Sequence, residues 1–183
     1  MRITLTHRGN IPGNKRPAAK IDAIRQGFHA QLNKLWGRDQ IAFLKEWLDS
    51  GFAAGAPDYR RVVGGRTYLP IVSEKIEARA NLTVTLMSGL DARRPAFTNG
   101  DVDNRVKSLI DALAAPIQPS RIPRTAPSRD TICLLSDDSL VAELTVRTAA
   151  LLSENDPTIT LAIIEADIVP GRGVLLKTLG MMV

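Results

Sequence analysis

Apolar residues recur at every second position in two long stretches of the chain, residues 76–87 and residues 140–148. Successive side chains of a β-strand point to opposite faces of its sheet, so this alternation predicts two strands that each have one apolar face. Residues 158–168 have a similar pattern. They predict a partner strand for residues 140–148, to which a polar turn joins them.

Four shorter segments have other patterns. A short strand is predicted at residues 2–6 and another at residues 68–72, the second at a sheet edge because Pro70 has no amide proton to donate. Residues 9–17 are rich in glycine, asparagine and proline, and they predict a loop. Residues 116–130 contain four prolines and three arginines, so we expect a mobile loop without regular structure.

Apolar residues at intervals of three and four predict two helical regions. The first spans residues 19–49, with a break near Gly37. The second begins at Asp103, which we expect to be its N-cap. Strands around one central helix, after a helical N-terminal region, indicate an α+β fold with a mixed or antiparallel sheet. A chain of 183 residues suits a single domain over residues 1–183, with residues 116–130 as an insertion.

Composition excludes several kinds of site and leaves others open. The formal net charge of +5 permits a polyanionic partner, while the aromatic content of 4% disfavours base stacking on aromatic side chains. Cys133 is the only cysteine, which excludes a disulfide framework and a thiolate zinc site. His7 and His29 are the only histidines, which weakens any histidine-based mechanism. No apolar run reaches membrane-spanning length, and we expect a cytoplasmic protein that binds no membrane.

Two pairs of aspartates lie at the ends of predicted elements. Asp101 and Asp103 precede the central helix, and Asp137 and Asp138 precede the strand at residues 140–148. In an extended segment, residues 101 and 103 point the same way. Carboxylates brought together repel one another unless a cation lies between them, and Mg²⁺ prefers oxygen ligands of this kind. The four acids therefore predict a metal site.

The same residues have an ordinary structural explanation. Lys107 lies between Asp103 and Asp111 at four-residue spacing, which is typical of ion pairs on a helix surface. Asp103 alone would serve as the helix cap, and Asp137 with Asp138 would serve as a turn. Each motif taken separately is explained in this way. The explanation leaves Asp101 without a role, since capping needs only one carboxylate.

Taken together, the two acidic blocks resemble the RusA family of Holliday junction resolvases. The first block is residues 100–113, which read Gly-Asp-Val-Asp-Asn-Arg-Val-Lys-Ser-Leu-Ile-Asp-Ala-Leu, and the second is residues 135–141, which read Leu-Ser-Asp-Asp-Ser-Leu-Val. Residues 11–16, Ile-Pro-Gly-Asn-Lys-Arg, are similar to the N-terminal loop of that family. The chain departs from the family pattern in the segment at residues 116–130 and in its longer N-terminal helical region.

The resemblance implies a homodimeric, Mg²⁺-dependent endonuclease that nicks four-way DNA junctions, with Mn²⁺ as an alternative metal. It implies metal ligands at Asp101, Asp103 and Asp138 and an essential lysine at Lys107, and these four residues form the expected catalytic set. A nuclease of the same fold that cuts flaps or foreign DNA is a second interpretation. A non-catalytic nucleic-acid-binding dimer is a third.

Basic residues of the predicted loops and the central helix are candidates for contact with DNA phosphates. Each of them alone has the ordinary explanation of a solubilising surface charge. We expect the following residues to bind branched DNA: Lys15, Arg16, Arg93, Arg94, Arg105, Arg121, Arg124 and Arg129.

Overall fold

The computed structural model describes residues 1–35, 60–89, 101–125, 130–156 and 158–169. Its helices and strands are β1 (Arg2–Gly9), α1 (Ala18–Leu32), β2 (Arg61–Val63), β3 (Arg66–Val72), β4 (Arg79–Gly89), α2 (Asp101–Leu113), β5 (Thr131–Leu135), β6 (Val141–Leu151) and β7 (Thr160–Val169). Short 3₁₀ turns lie at Glu74–Ile76, Pro119–Arg121 and Asp138–Leu140. Helices combined with mixed sheets make this an α+β protein, as predicted.

The larger sheet has four strands in the order β1-β7-β4-β6. β7 runs antiparallel to β1 and to β4, whereas β6 runs parallel to β4. The prediction that residues 158–168 pair with residues 140–148 is therefore wrong. β4 lies between these two strands, which pair its backbone on both edges, while its apolar face is buried in the core. The residues of that face, at most 1% exposed, are Ala80, Leu82, Val84 and Leu86.

The smaller sheet has three strands in the order β2-β3-β5. Gly64 and Gly65 form the turn between β2 and β3 with φ values of 57° and 74°, a combination that suits a two-residue hairpin turn. β3 is the central strand, so the predicted edge position is wrong for the strand as a whole. At Pro70, however, only β5 is paired, because β2 ends opposite Tyr68. The missing amide proton of the proline therefore faces no partner strand.

Several predicted bounds shift for local reasons. The strand predicted at residues 76–87 begins at Arg79, because Ser73 caps the 3₁₀ turn Glu74–Ile76 that precedes it. The helix predicted over residues 19–49 ends at Leu32, and residues 36–49 lie outside the described residues.

The larger apolar core joins α1 and α2 to the inner face of the larger sheet and to β5, and a second, small cluster surrounds Tyr68. α1 packs against α2, β1 and β5. From α1, the apolar stripe of Ile21, Ile24, Phe28 and Leu32 is buried, as the three- and four-residue spacing predicts. No helix within the described ranges is long and apolar enough to cross a membrane. The core holds α2 and the turn before β6 in place, and these two elements carry the acidic residues.

Candidate active site

α2 already includes Asp101 and Asp103, so Asp103 is not an N-cap and the two residues are not extended. Successive residues of an α-helix are rotated by about 100°, which places these two side chains about 200° apart around the axis. The expectation that both carboxylates project toward one spot is therefore wrong. The two acids have different surroundings.

Asp101 lies on the inward side of α2 and is partly buried, with 28% of its side chain exposed. Its Oδ2 accepts a hydrogen bond from Arg105 Nε at 2.9 Å, one helical turn further on. Arg105 Nη1 also donates to the buried Thr160 Oγ1 at 2.5 Å, which ties α2 to the start of β7. Only 15% of the Arg105 side chain is exposed. This ion pair is an internal structural contact.

Asp103 and Lys107 form the surface ion pair that the ordinary explanation predicts. Lys107 Nζ lies 2.8 Å from Asp103 Oδ2, and more than half of each side chain is exposed. Asp111 lies one turn beyond Lys107, but its partner is Arg16, whose Nη1 donates to Asp111 Oδ2 at 2.8 Å. Of the two acids spaced to pair with Lys107, only Asp103 does so within the described residues.

The loop before α1 lies along α2 and contacts each of its turns. Asn104 Nδ2 donates to Asn14 Oδ1 at 2.5 Å, and Ser108 Oγ donates to the Pro12 carbonyl at 2.6 Å. Gly13 lies so close to the helix that a Cβ there would be 3.1 Å from Asp101 Oδ1. With the Arg16–Asp111 pair, these contacts hold Arg16 at the C-terminal half of α2.

Asp137 and Asp138 occupy the turn between β5 and β6 and differ in their electrostatics. Asp137 Oδ1 accepts from the Ser139 amide at 3.0 Å, and Arg61 lies 3.7 Å from its other oxygen. Hydrogen bonds from Ser139 lower the pKa of Asp137 below its ordinary value. The pKa of Asp138 is raised, first by partial loss of solvent and then by the negative charges of Asp137 and Asp111.

Asp138 and Asp111 line a common cavity of about 140 Å³. The other residues that line it are Arg16, Ala18, Ile21, Arg25, Ala114, Ala115, Pro116, Ile117, Gln118 and Arg121. Residues 116–121 thus form one wall, beside the turn that carries Asp138. The structure brings two carboxylates and three arginines to one depression between α1, α2 and this turn.

The remaining residues predicted from the sequence have varied positions. Lys15, Arg121 and Arg124 are exposed, and Arg105 is directed inward. The three other predicted arginines lie outside the described residues: Arg93, Arg94 and Arg129. Within the described ranges, no group of three or more carboxylate, histidine or cysteine side chains is placed to hold a metal ion. Asp101, Asp103 and Asp138 are accordingly not gathered into one cluster there.

Arg25 is a residue of the site that the sequence reasoning missed. Arg25 is 2% exposed, and its guanidinium donates to the main-chain carbonyls of Asp111 at 2.7 Å and Ala114 at 3.2 Å. Arg25 Nη1 lies 3.1 Å from Oδ1 of Asp22, three residues earlier on α1. Arg25 therefore donates hydrogen bonds to main-chain carbonyls at the C-terminus of α2, which have no partner within the helix. The only sequence signal was a charged residue on the apolar stripe of α1.

Comparison of this chain with models of known protein families and with curated proteins found no match.

Proposed function

We propose that this protein is a Mg²⁺-dependent endonuclease that hydrolyses DNA phosphodiesters, with branched DNA such as a Holliday junction as its substrate. The observation that carries the proposal is that Asp138 lines a cavity together with Asp111 and three arginines. Partial burial, and then the negative charges of Asp137 and Asp111, raise the pKa of Asp138. A divalent cation relieves repulsion of this kind, and arginines bind phosphate. The motif shared with the RusA family supports the same chemistry.

Carboxylate oxygens are the ligands that Mg²⁺ prefers, so Asp138 and Asp111 fit the ion in donor chemistry. When bound, the ion would lower the pKa of a water and stabilise charge on the phosphate. Arg16, which pairs with Asp111, and the exposed Arg121 lie at the same cavity and would contact phosphate oxygens. Asp137 is held by Ser139 and Arg61 and would keep the turn in shape.

Lys107 would act as a positive point charge beside the reacting phosphate. It lies one helical turn from Asp111 on the exposed face of α2. There it forms a solvent-exposed ion pair with Asp103. Such a pair is weak, so a phosphate can replace it. Asp101 and Asp103 remain proposed metal ligands on the strength of the family motif, and binding by both would require the first turn of α2 to change.

One set of assays, in which cleavage and binding are both measured, separates this proposal from its alternatives. Purified protein is incubated with a four-way junction, a flap and a linear duplex of matched sequence, each with Mg²⁺, with Mn²⁺ or with EDTA. We expect cleavage of the junction with either metal and none with EDTA. Preference for the flap or the duplex would favour a nuclease of different substrate. Binding without cleavage under every condition would contradict the nuclease and support a binding protein.

A further inference from the structure

β6 is an edge strand that no other element of the described structure covers. Its neighbour β4 places Leu82 and Val84 beside Leu144 and Val146, respectively, in register. The two β4 residues are at most 1% exposed, whereas Leu144 is 42% exposed and Val146 is 39% exposed. The apolar face of the sheet therefore continues past the core onto an open strand of eleven residues.

The opposite edge of the same sheet is closed. The side chain of Gln31 on α1 accepts from the Thr6 amide at 2.9 Å and donates to the Thr6 carbonyl at 2.8 Å, so α1 occupies the outward backbone groups in the middle of β1. Among the described residues, no side chain bonds to the backbone of β6 in this way. Unprotected edges pair readily with other strands, so β6 is the edge available to a partner.

The sequence of β6 is complementary to itself about Thr145. In an antiparallel pair of two β6 strands centred on this residue, Glu143 lies opposite Arg147 of the second copy, and Arg147 lies opposite its Glu143. Leu144 and Val146 face each other in the same manner on the apolar side. Within the described part of the chain, the side chains of Glu143 and Arg147 make no ion pair or hydrogen bond. Both are therefore available for the partner.

We infer that a second copy of this chain pairs with β6 in antiparallel orientation, with the two-fold axis at Thr145. The two four-stranded sheets then form one continuous sheet of eight strands. A two-fold interface requires a surface that complements itself, which is what the residues around Thr145 provide. The inference gives an interface to the homodimer that the family resemblance implies, and the pairing itself needs neither metal nor DNA.

Sedimentation of the DNA-free protein tests the pairing by charge reversal. Arg147→Glu and Glu143→Arg each place like charges opposite one another twice, so we expect the dimer dissociation constant to rise about tenfold. An equimolar mixture of the two variants restores both opposite-charge pairs, and the double variant does so within a homodimer. We expect both to recover wild-type dimerisation. Arg79→Glu on β4 is the control, because it makes the same charge change on an exposed residue away from the seam.

A cross-link tests the position of the axis. Thr145 lies opposite itself, so Thr145→Cys should form an intermolecular disulfide under mild oxidation, whereas Thr4→Cys on the closed edge should not. Cys133 is buried and should not contribute. Circular dichroism verifies that each variant is folded.

A wild-type protein that remains monomeric up to its solubility limit would overturn the inference, as would a dimer unaffected by either charge reversal. Because these readouts require no catalysis, they stand or fall separately from the nuclease proposal.

Discussion

The two halves of α2 neutralise their carboxylates to different degrees. In the N-terminal half, each acid has its own cation one turn away, Arg105 for Asp101 and Lys107 for Asp103. At the C-terminal end, Asp111 shares the cavity with Asp138, and within the described residues Arg16 is the one cation that forms an ion pair with either carboxylate, at Asp111. Within the N-terminal half, the cation of each ion pair neutralises the negative charge of its carboxylate. Two acids that come from different elements and share a cavity leave a negative charge that a bound cation can neutralise. Asp101 and Asp103, although proposed as ligands from the family motif, are thus already neutralised within the helix, whereas Asp111 and Asp138 face a cavity that a metal ion could enter.

The largest expected effect comes from removing the charge of Asp138. Asp138→Asn should reduce cleavage about 100-fold or more, since it removes a proposed ligand and the several kcal/mol of stabilisation that a bound ion supplies. Binding of DNA should be retained or strengthened because repulsion of phosphate falls. Cleavage rates and filter binding measure the two effects.

Asp137→Asn is the matched control, since it keeps an oxygen that can accept from Ser139. Its cleavage rate should change much less. Equal losses in the two variants would mean that the turn, rather than one carboxylate, matters.

The next largest effect concerns Lys107, which the comparison leaves as either a surface ion pair or a phosphate contact. Lys107→Arg keeps the charge but replaces a compact ammonium with a planar fork, so we expect a loss of about tenfold or more in cleavage. Lys107→Ala should lose at least as much. Normal cleavage by both variants, with stability changed by about 0.5 kcal/mol or less, would show that the residue serves only its pair with Asp103.

A smaller effect distinguishes the two ion pairs in the N-terminal half by stability. Asp101→Asn and Asp103→Asn both lose a favourable charge at a helix N-terminus, about 0.5 kcal/mol each. Asp101→Asn should cost about 1–2 kcal/mol more, because it leaves the largely buried Arg105 without its carboxylate. Urea denaturation measures the difference, and equal costs would contradict the assignment of Asp101 to the interior.

The smallest effect is the pH dependence of stability in metal-free protein. The pKa of Asp138 is raised in the folded state, so its ionised form opposes folding and Asp138→Asn should be more stable than wild type at neutral pH. The difference in free energy of unfolding between Asp138→Asn and wild type should decrease as pH falls through the raised pKa. It should vanish below the ordinary value of 3.8.

The Asp137 carboxyl behaves in the opposite sense. Its lowered pKa contributes stability that is present above its ordinary value of 3.8 and is lost as pH falls through the lowered pKa. Urea titrations of wild type, Asp138→Asn and Asp137→Ala between neutral and acidic pH measure both trends.

Added Mg²⁺ should stabilise wild type more than Asp138→Asn, and equal responses would count against Asp138 as a ligand.

Periodicity in the sequence predicted β4, β6, β7 and the apolar faces of both helices, because burial imposes the two- and 3.6-residue repeats directly. It could not predict that β4 lies between β6 and β7, since a turn signal shows where the chain reverses and not which strands pair. The four-residue spacing of Asp103 and Lys107 correctly predicted their ion pair.

The site was less predictable than the fold, for two reasons. A helix that begins two residues earlier than its expected cap rotates Asp101 away from Asp103, and residue types alone do not determine that boundary. The pairing of Arg16 with Asp111 joins residues 95 positions apart, so no local pattern contains it. The grouping of Asp138 with Asp111 likewise depends on how α2 packs beside the turn.

The place of β7 in the larger sheet has a consequence for how the chain folds. This strand is the last of the described strands along the chain, yet it lies between β1 and β4 and pairs Arg2 with Asp167 across 165 residues. A ribosome makes β1 first, so β1 and β4 have no common neighbour until β7 emerges. Such non-local pairing folds in about milliseconds to seconds, and until then β1 and the edge of β4 that faces away from β6 are exposed to other nascent chains.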